Sequence, residues 1–379
     1  MTVKRLLYLV NDPEFFLTHR LPVALQAARS GFDVHVATAC GAPVQSIISL
    51  GLQHHTVPMS RGGLNPLKEV MTFASVLTLL RRLRPDLLHV VTIKPLLYGC
   101  IAARLAGTPG VVAAVSGLGY LFDKSRWRPR VINLVLRPLY PLAFGHPNLQ
   151  VIFQNESDRM ALEARGLAQG RAVLFRGSGV DLERYRFDPE PAGVPVVTFA
   201  SRLLRSKGVE IFVQAASILR SRGLVAEFRL LGAPDPASRD SVSEADIERW
   251  TASGVIVALG KRTDIPLQFS RSHIIVLPSH YREGVPKVLL EAAACGRPVV
   301  TTDHPGCRDA IQPGVTGVLV PIQDPYAVAD AIDRLLLDAD LRRNMGRAAR
   351  QMAEEQFDVR RVIAEHIELY RTVVRRAFQ

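Results

Sequence analysis

Cysteine is scarce in this chain of 379 residues. Cys40, Cys100, Cys295 and Cys307 are scattered and form no C-x-x-C pair. That argues against a zinc site or a disulfide framework and suits a reducing compartment. No run of about 20 apolar residues occurs, so no transmembrane helix is expected. The opening MTVKRLLYLVND is cut short by Asn11 and Asp12 and reads as a buried strand rather than a signal peptide. No basic–aromatic nucleic-acid motif and no helix-turn-helix pattern is found. Negative charge is thin in the first half. Residues 1–186 hold 22 Lys and Arg against 11 Asp and Glu, a net of +11, while residues 187–379 hold 25 against 24, a net of +1. An anionic partner, whether nucleic acid, lipid or a phosphorylated substrate, is therefore expected on one half only.

What is present is an alternation of short apolar runs and amphipathic stretches. In the first half, strands are predicted at Val3–Val10, Val34–Thr38, Gln53–Val57, Leu87–Val91, Val111–Val115, Gln150–Gln154 and Val173–Phe175. Helices are predicted at His19–Ser30, Gln45–Leu50, Asn65–Arg84, Pro95–Ala106 and Asn155–Arg165. The spacing indicates an α/β chain with parallel sheets covered on both faces. A run of Pro189, Pro191, Gly193 and Pro195 marks a linker, and strands resume near Val196–Ala200, Glu227–Leu231, Val255–Ala258, Ile274–Leu277 and Val299–Thr301. Two domains follow, residues 1–187 and 188–358, with a last helix over 359–379 expected to return to the first.

In such sheets the loops at the carboxyl ends of the strands carry function. His19 is predicted to open a helix just past the first strand, as an anion ligand, a base or a surface polar group. Lys94, in V-T-I-K-P, offers a point charge to an acceptor phosphate. Phe122–His146 mixes Lys124, Arg126, Arg128, Arg130 and Arg137 with Trp127, Leu134, Leu136 and Tyr140. It reads as an interfacial segment on anionic lipid, or as a surface helix pair.

The most informative stretch is Pro278–Val300, PSHYREGVPKVLLEAAACGRPVV. Gly284 and Pro286 start a helix, and Gly296 and Pro298 stop it. A helix start gathers unpaired N–H groups and suits an anion. Glu291 falls on the face shared with Lys287 and Val288, where a carboxylate can accept two hydrogen bonds from a vicinal diol. Glu283 and Glu291 form E-x7-E, and with its flanks this resembles the signature of retaining glycosyltransferases of family 4. S-R-L-L-R-S-K-G-V, Ser201–Val209, resembles the same family's diphosphate loop, and S-G-L-G-Y, Ser116–Tyr120, its loop in capsule- and O-antigen-type members. Many members carry a His in that last loop; this chain does not, so that sugar contact is not carried over.

The resemblance covers nearly the whole chain, most strongly from about residue 173 to 325. It implies the GT-B fold, two Rossmann-like domains facing each other across a cleft, with the nucleotide sugar held by the second. Donor-binding residues would be Arg202, Lys207, Gly208, Glu283, Gly284, Val288 and Glu291. Arg202 and Lys207 would straddle the two phosphates, Glu291 would grip the ribose, and Glu283 would meet the transferred sugar near the reaction centre. L-G-K-R-T-D, Leu259–Asp264, falls at the base contact, with uracil favoured. Catalytic candidates are Glu283 and His19; acceptor-binding candidates are Lys94, Gly117 and Tyr120. No D-x-D cluster suggests a metal on the diphosphate, so neither metal nor cofactor is expected. The implied reaction moves a hexose or N-acetylhexosamine from a nucleotide sugar to a polyprenyl-diphosphate-linked saccharide of a surface polysaccharide. It would take place in the cytoplasm, peripherally on the inner face of the cytoplasmic membrane, with an anionic membrane surface but no nucleic acid as partner. Two other readings stay open: a sugar-nucleotide 2-epimerase of similar architecture, and a non-catalytic binder of anionic lipid or nucleic acid.

Overall fold

The computed structural model describes residues 3–59, 65–118, 138–236 and 238–378. The chain forms two compact units, Met1–Ser178 with Arg360–Gln379, and Gly179–Val359.

The first unit holds a parallel sheet of seven strands: β1 (Lys4–Val10), β2 (Phe32–Thr38), β3 (Gln53–Thr56), β4 (Leu87–Val91), β5 (Gly110–Val115), β6 (Leu149–Phe153) and β7 (Ala172–Leu174). Their order is β3-β2-β1-β4-β5-β6-β7. Every residue of β4 and β5 is buried, as expected for strands covered on both faces. Around them run α1 (Pro13–His19), α2 (Leu21–Arg29), α3 (Val44–Ser49), α4 (Pro66–Leu83), α5 (Ile93–Ala106), α6 (Leu139–Phe144) and α7 (Glu156–Glu163).

The second unit repeats the plan with six strands: β8 (Val196–Ala200), β9 (Glu227–Leu231), β10 (Val257–Gly260), β11 (Ile274–Leu277), β12 (Val299–Thr302) and β13 (Gly317–Val320), in the order β10-β9-β8-β11-β12-β13. Its helices are α8 (Val209–Ser221), α9 (Glu244–Ala252), α10 (Ile265–Ser270), α11 (Lys287–Ala294), α12 (Pro325–Leu337) and α13 (Ala339–Met352). In each unit the strand order reverses once, between β1 and β4 and between β8 and β11. Ligands of doubly wound sheets bind beyond the strand ends at such reversals.

Three local expectations change. His19 does not open a helix; it closes one. Asp12 accepts hydrogen bonds from the amides of Glu14 and Phe15 and caps α1, which starts with Pro13. Pro22 has no N–H to donate, so the chain breaks at Arg20 and restarts as α2. Lys94 lies within the first turn of α5 rather than before it. Strand β13, in the G-V-T-G-V-L-V-P run, went unassigned because its four residues lie among turn signals.

The Pro- and Gly-rich run near residues 189–195 belongs to the second unit. Arg297, buried, donates to the carbonyls of Asp188 (2.9 Å), Pro189 (3.2 Å), Phe269 and Ser270. The last helix, α14 (Val359–Ala377), lies with the first unit, where Tyr370 Oη meets Tyr8 Oη at 3.0 Å and His89 Nδ1 at 2.5 Å. Burial pushes the His366 imidazole on the same helix down to about 3, so it is neutral.

Arg342 on α13 is 5% exposed and donates to Glu190 Oε2 (2.7 Å) and to the Leu335 carbonyl (2.7 Å). Removing one partner of a buried pair strands the other charge. Arg342→Ala should cost the second unit about 3 kcal/mol, read as a lower urea midpoint at unchanged slope; a midpoint equal to wild type would mean the pair is solvated.

Candidate active site

The site residues of the second unit gather at the β8/β11 reversal. The loop after β8 runs Ser201–Gly208 and the loop after β11 runs Pro278–Pro286. Backbone hydrogen bonds stitch the two together: the His280 amide donates to the Ser206 carbonyl at 2.9 Å. Gly208 sits at φ +81°, and a Cβ there would lie 2.1 Å from the Pro278 carbonyl oxygen. Only glycine lets the first turn of α8 come this close to β11. The loop after β12 closes in the same way, since a Cβ on Gly306 would lie 2.1 Å from the Gly284 carbonyl oxygen.

This crossing brings Lys207 and Glu283 into an ion pair, Nζ to Oε2, with both side chains mostly buried. Ser279 Oγ donates to the other carboxylate oxygen at 3.1 Å. Arg202, more than half exposed, pairs with Asp235 at 2.8 Å. Arg205 ties its loop down by donating to the Ser241 carbonyl (2.7 Å) and to Glu210 (3.0 Å). Ser206 holds the same loop to Asp240 through its amide (3.0 Å) and hydroxyl.

Helix α11 begins at Lys287, with Pro286 as its extended N-cap rather than its first helical residue. Gly284 is buried, and Val288 packs half-buried against the core. Glu291 lies one turn along, 3.9 Å from Lys287 Nζ. Its Oε1 accepts a hydrogen bond from Tyr185 Oη at 2.8 Å, a partner that sequence reading missed. The contact spans 106 positions, and no local pattern marks it. Burial raises the Glu291 carboxyl above its usual range, opposed by Lys287 and by the Tyr185 hydrogen bond. Burial lowers the Lys287 ammonium.

The first unit places its own candidates at the β1/β4 reversal. Lys94 Nζ pairs with Glu69 Oε1 at 2.8 Å, and Tyr98 donates to the same carboxylate. His19 lies tilted against Phe15, ring centroids 4.3 Å apart, with Nδ1 3.3 Å from Ser178 Oγ. Gly117 follows β5 at φ +98°, a left-handed turn that favours glycine. Tyr120 and most of Phe122–His146 lie outside the described residues. Among the described residues no group of three or more His, Cys, Asp or Glu could hold a metal ion. The D-x-D of Asp338–Asp340 serves helix α13, with Asp338 Oδ1 accepting from the Leu341 amide and Asp340 pairing with Arg343.

Two family models match the chain. "Glycosyl transferase 4-like" spans residues 5–154 and "Glycosyl transferases group 1" spans residues 183–352. The chain is a GT-B glycosyltransferase of the GT4 type. This displaces the epimerase and the non-catalytic binder. The glycosyltransferase is 29% identical, over 94% of its length and 95% of the relative's, to the N,N'-diacetylbacillosaminyl-diphospho-undecaprenol alpha-1,3-N-acetylgalactosaminyltransferase of Campylobacter jejuni. It is 23% identical to the Escherichia coli UDP-Gal:alpha-D-GlcNAc-diphosphoundecaprenol alpha-1,3-galactosyltransferase, over 81% of each chain. Its fold matches Anabaena HepE, determined in complex with UDP, with a TM-score of 0.79 at 21% identity, covering 97% of this chain and 100% of that one.

The ionised Glu291 carboxylate can accept on both oxygens, whereas protonation turns one of them into a donor, and burial raises its pKa. If Glu291 holds the ribose, nucleoside diphosphate affinity should fall with acidification at a pH above that of an ordinary carboxylate near 4.5. Tyr185→Phe removes a hydrogen bond that favours the ionised form. The acid limb should move to still higher pH. Calorimetric titrations across pH would detect this; superimposable profiles for the two proteins would rule it out.

Proposed function

We propose that the glycosyltransferase moves a hexose or N-acetylhexosamine from a UDP-sugar to a polyprenyl-diphosphate-linked saccharide, with retention of anomeric configuration. The observation that carries this is the Lys207–Glu283 pair, held beside the start of α8 at the β8/β11 reversal. A diphosphate brought to Lys207 and Arg202 would meet two cations and the free amides of a helix start, which stabilise the charge that builds on a leaving nucleoside diphosphate. Glu283 would then face the sugar attached to that diphosphate, and Glu291 its ribose. Both bacterial relatives named above act, by their names, on diphospho-undecaprenol-linked saccharides, and the E. coli relative's name includes UDP-Gal.

With Glu291 committed to ribose, we assign no second carboxylate as a covalent partner in the manner of a retaining glycosidase. The reading is a same-face displacement. The acceptor oxygen bonds to the anomeric carbon as the bond to the phosphate oxygen breaks, and the departing phosphate takes the acceptor's proton. Lys207 and Arg202 do the work of charge neutralisation without a metal. In the first unit Lys94 would meet the acceptor's phosphate, exchanging Glu69 for it, with Gly117 on the acceptor side and His19 as a catalytic candidate. A lipid-linked acceptor would place the enzyme peripherally on an anionic membrane face.

Glu283→Gln keeps the size of the side chain and removes its charge. Transfer to a synthetic lipid-diphosphate saccharide should fall at least 100-fold in kcat. UDP affinity should hold or rise, because Lys207 is released for the phosphates. Transfer persisting at more than a tenth of wild type would remove Glu283 from the reaction centre.

A further inference from the structure

Helix α4 is amphipathic in an unusual sense. Its inner face is set by Thr72, Val76, Leu79 and Leu80, all buried. Its outer face begins with Leu67, Val70 and Met71, which are 77%, 66% and 62% exposed. These three lie at i, i+3 and i+4 and form one ridge over the first turn and a half. No other helix among the described residues exposes three large apolar side chains. Single exposed apolar residues are ordinary, whereas a contiguous ridge marks an interaction surface.

Charge on this helix singles out the occupant. Lys68, Arg81 and Arg82 are exposed on α4, and Arg84 follows it. The one acidic residue of the helix, Glu69, is turned away, with its carboxylate taken by Lys94 and Tyr98. The outward side of α4 is thus apolar at its start and basic at its end, with no negative charge. Most of the chain's positive excess lies in the same unit's sequence. An apolar ridge with basic flanks suits the boundary between acyl chains and anionic headgroups. It suits a protein partner less well, because a protein interface core excludes charge and would need acidic groups to match.

We infer that the start of α4 inserts Leu67, Val70 and Met71 into an anionic bilayer, with Lys68, Arg81 and Arg82 on its headgroups. The inference deepens the proposed function and rests on its lipid-linked acceptor. Through Glu69 the ridge is tied to Lys94, so the same helix that enters the bilayer holds the residue assigned to the acceptor's phosphate. The membrane contact assigned here is distinct from Phe122–His146, and no helix among the described residues is long and apolar enough to cross a membrane.

The test is co-sedimentation of the full-length protein with vesicles of phosphatidylcholine alone and of phosphatidylcholine with roughly one-third phosphatidylglycerol. Wild type should bind the anionic vesicles at least tenfold more tightly than the neutral ones. The triple variant Leu67→Ser, Val70→Ser, Met71→Ser should lose at least tenfold on anionic vesicles, with UDP affinity and melting temperature unchanged. The charge variant Lys68→Glu, Arg81→Glu should abolish the preference for anionic lipid. Wild-type binding to neither vesicle, equal binding by the triple variant, or a dimer that the triple variant converts to monomer would each overturn the inference. Transfer to a detergent-dispersed acceptor is measured in parallel. Its absence in wild type would sink the proposed function while leaving the vesicle result intact, so the two failures are distinguishable.

Discussion

Opposite charges meet where two parallel strands end side by side. The Lys207–Glu283 pair exists because Gly208 lets the loop after β8 press against Pro278 at the end of β11. Both groups are mostly removed from water, and each neutralises the other. The pair fixes the geometry of both loops before any ligand arrives. Ser206–Asp240 and Arg205–Glu210 hold the same loop from its other side, and Ser279 orients the carboxylate. A site assembled in this way needs little ordering when a ligand binds, which is how preorganised cations gain leverage on a developing negative charge.

The same device recurs through the molecule. Lys94 is held by Glu69, Lys207 by Glu283, and Arg202 by Asp235. Each candidate phosphate ligand is already matched with a carboxylate. An incoming phosphate therefore replaces a partner rather than neutralising a bare cation. The exchange lowers affinity for simple anions and favours a ligand that also satisfies the displaced carboxylate. A sugar diphosphate would do this, with its hydroxyls donating to Glu283 and its phosphates accepting from Lys207.

Much of this was legible in the sequence, for definable reasons. The central strands are short, largely apolar runs bounded by turn residues, and Leu87–Val91, Val196–Ala200, Glu227–Leu231 and Ile274–Leu277 fall where the alternation predicts them. Lys207 and Glu283 sit in loops whose spacing from strand ends is itself informative. Contacts remote in sequence were not legible. Tyr185 reaches Glu291 through the fold alone, and Tyr370 reaches Tyr8 and His89 across most of the chain. Local breaks were misread where two signals competed. Asp12-Pro13 starts an additional helix ahead of the predicted one, which begins only at Leu21, so His19 moved from a helix start to a helix end. The ridge on α4 was hidden because periodicity identifies an apolar position without saying which side of a helix the core takes.

The most direct test of the account is a crystal structure of the glycosyltransferase with UDP bound. The account predicts diphosphate oxygens within hydrogen-bond reach of Lys207 and Arg202, ribose hydroxyls on Glu291, and Lys207 moved from or shared with Glu283. UDP bound elsewhere, or bound with these three side chains turned from it and the Lys207–Glu283 pair untouched, would contradict it.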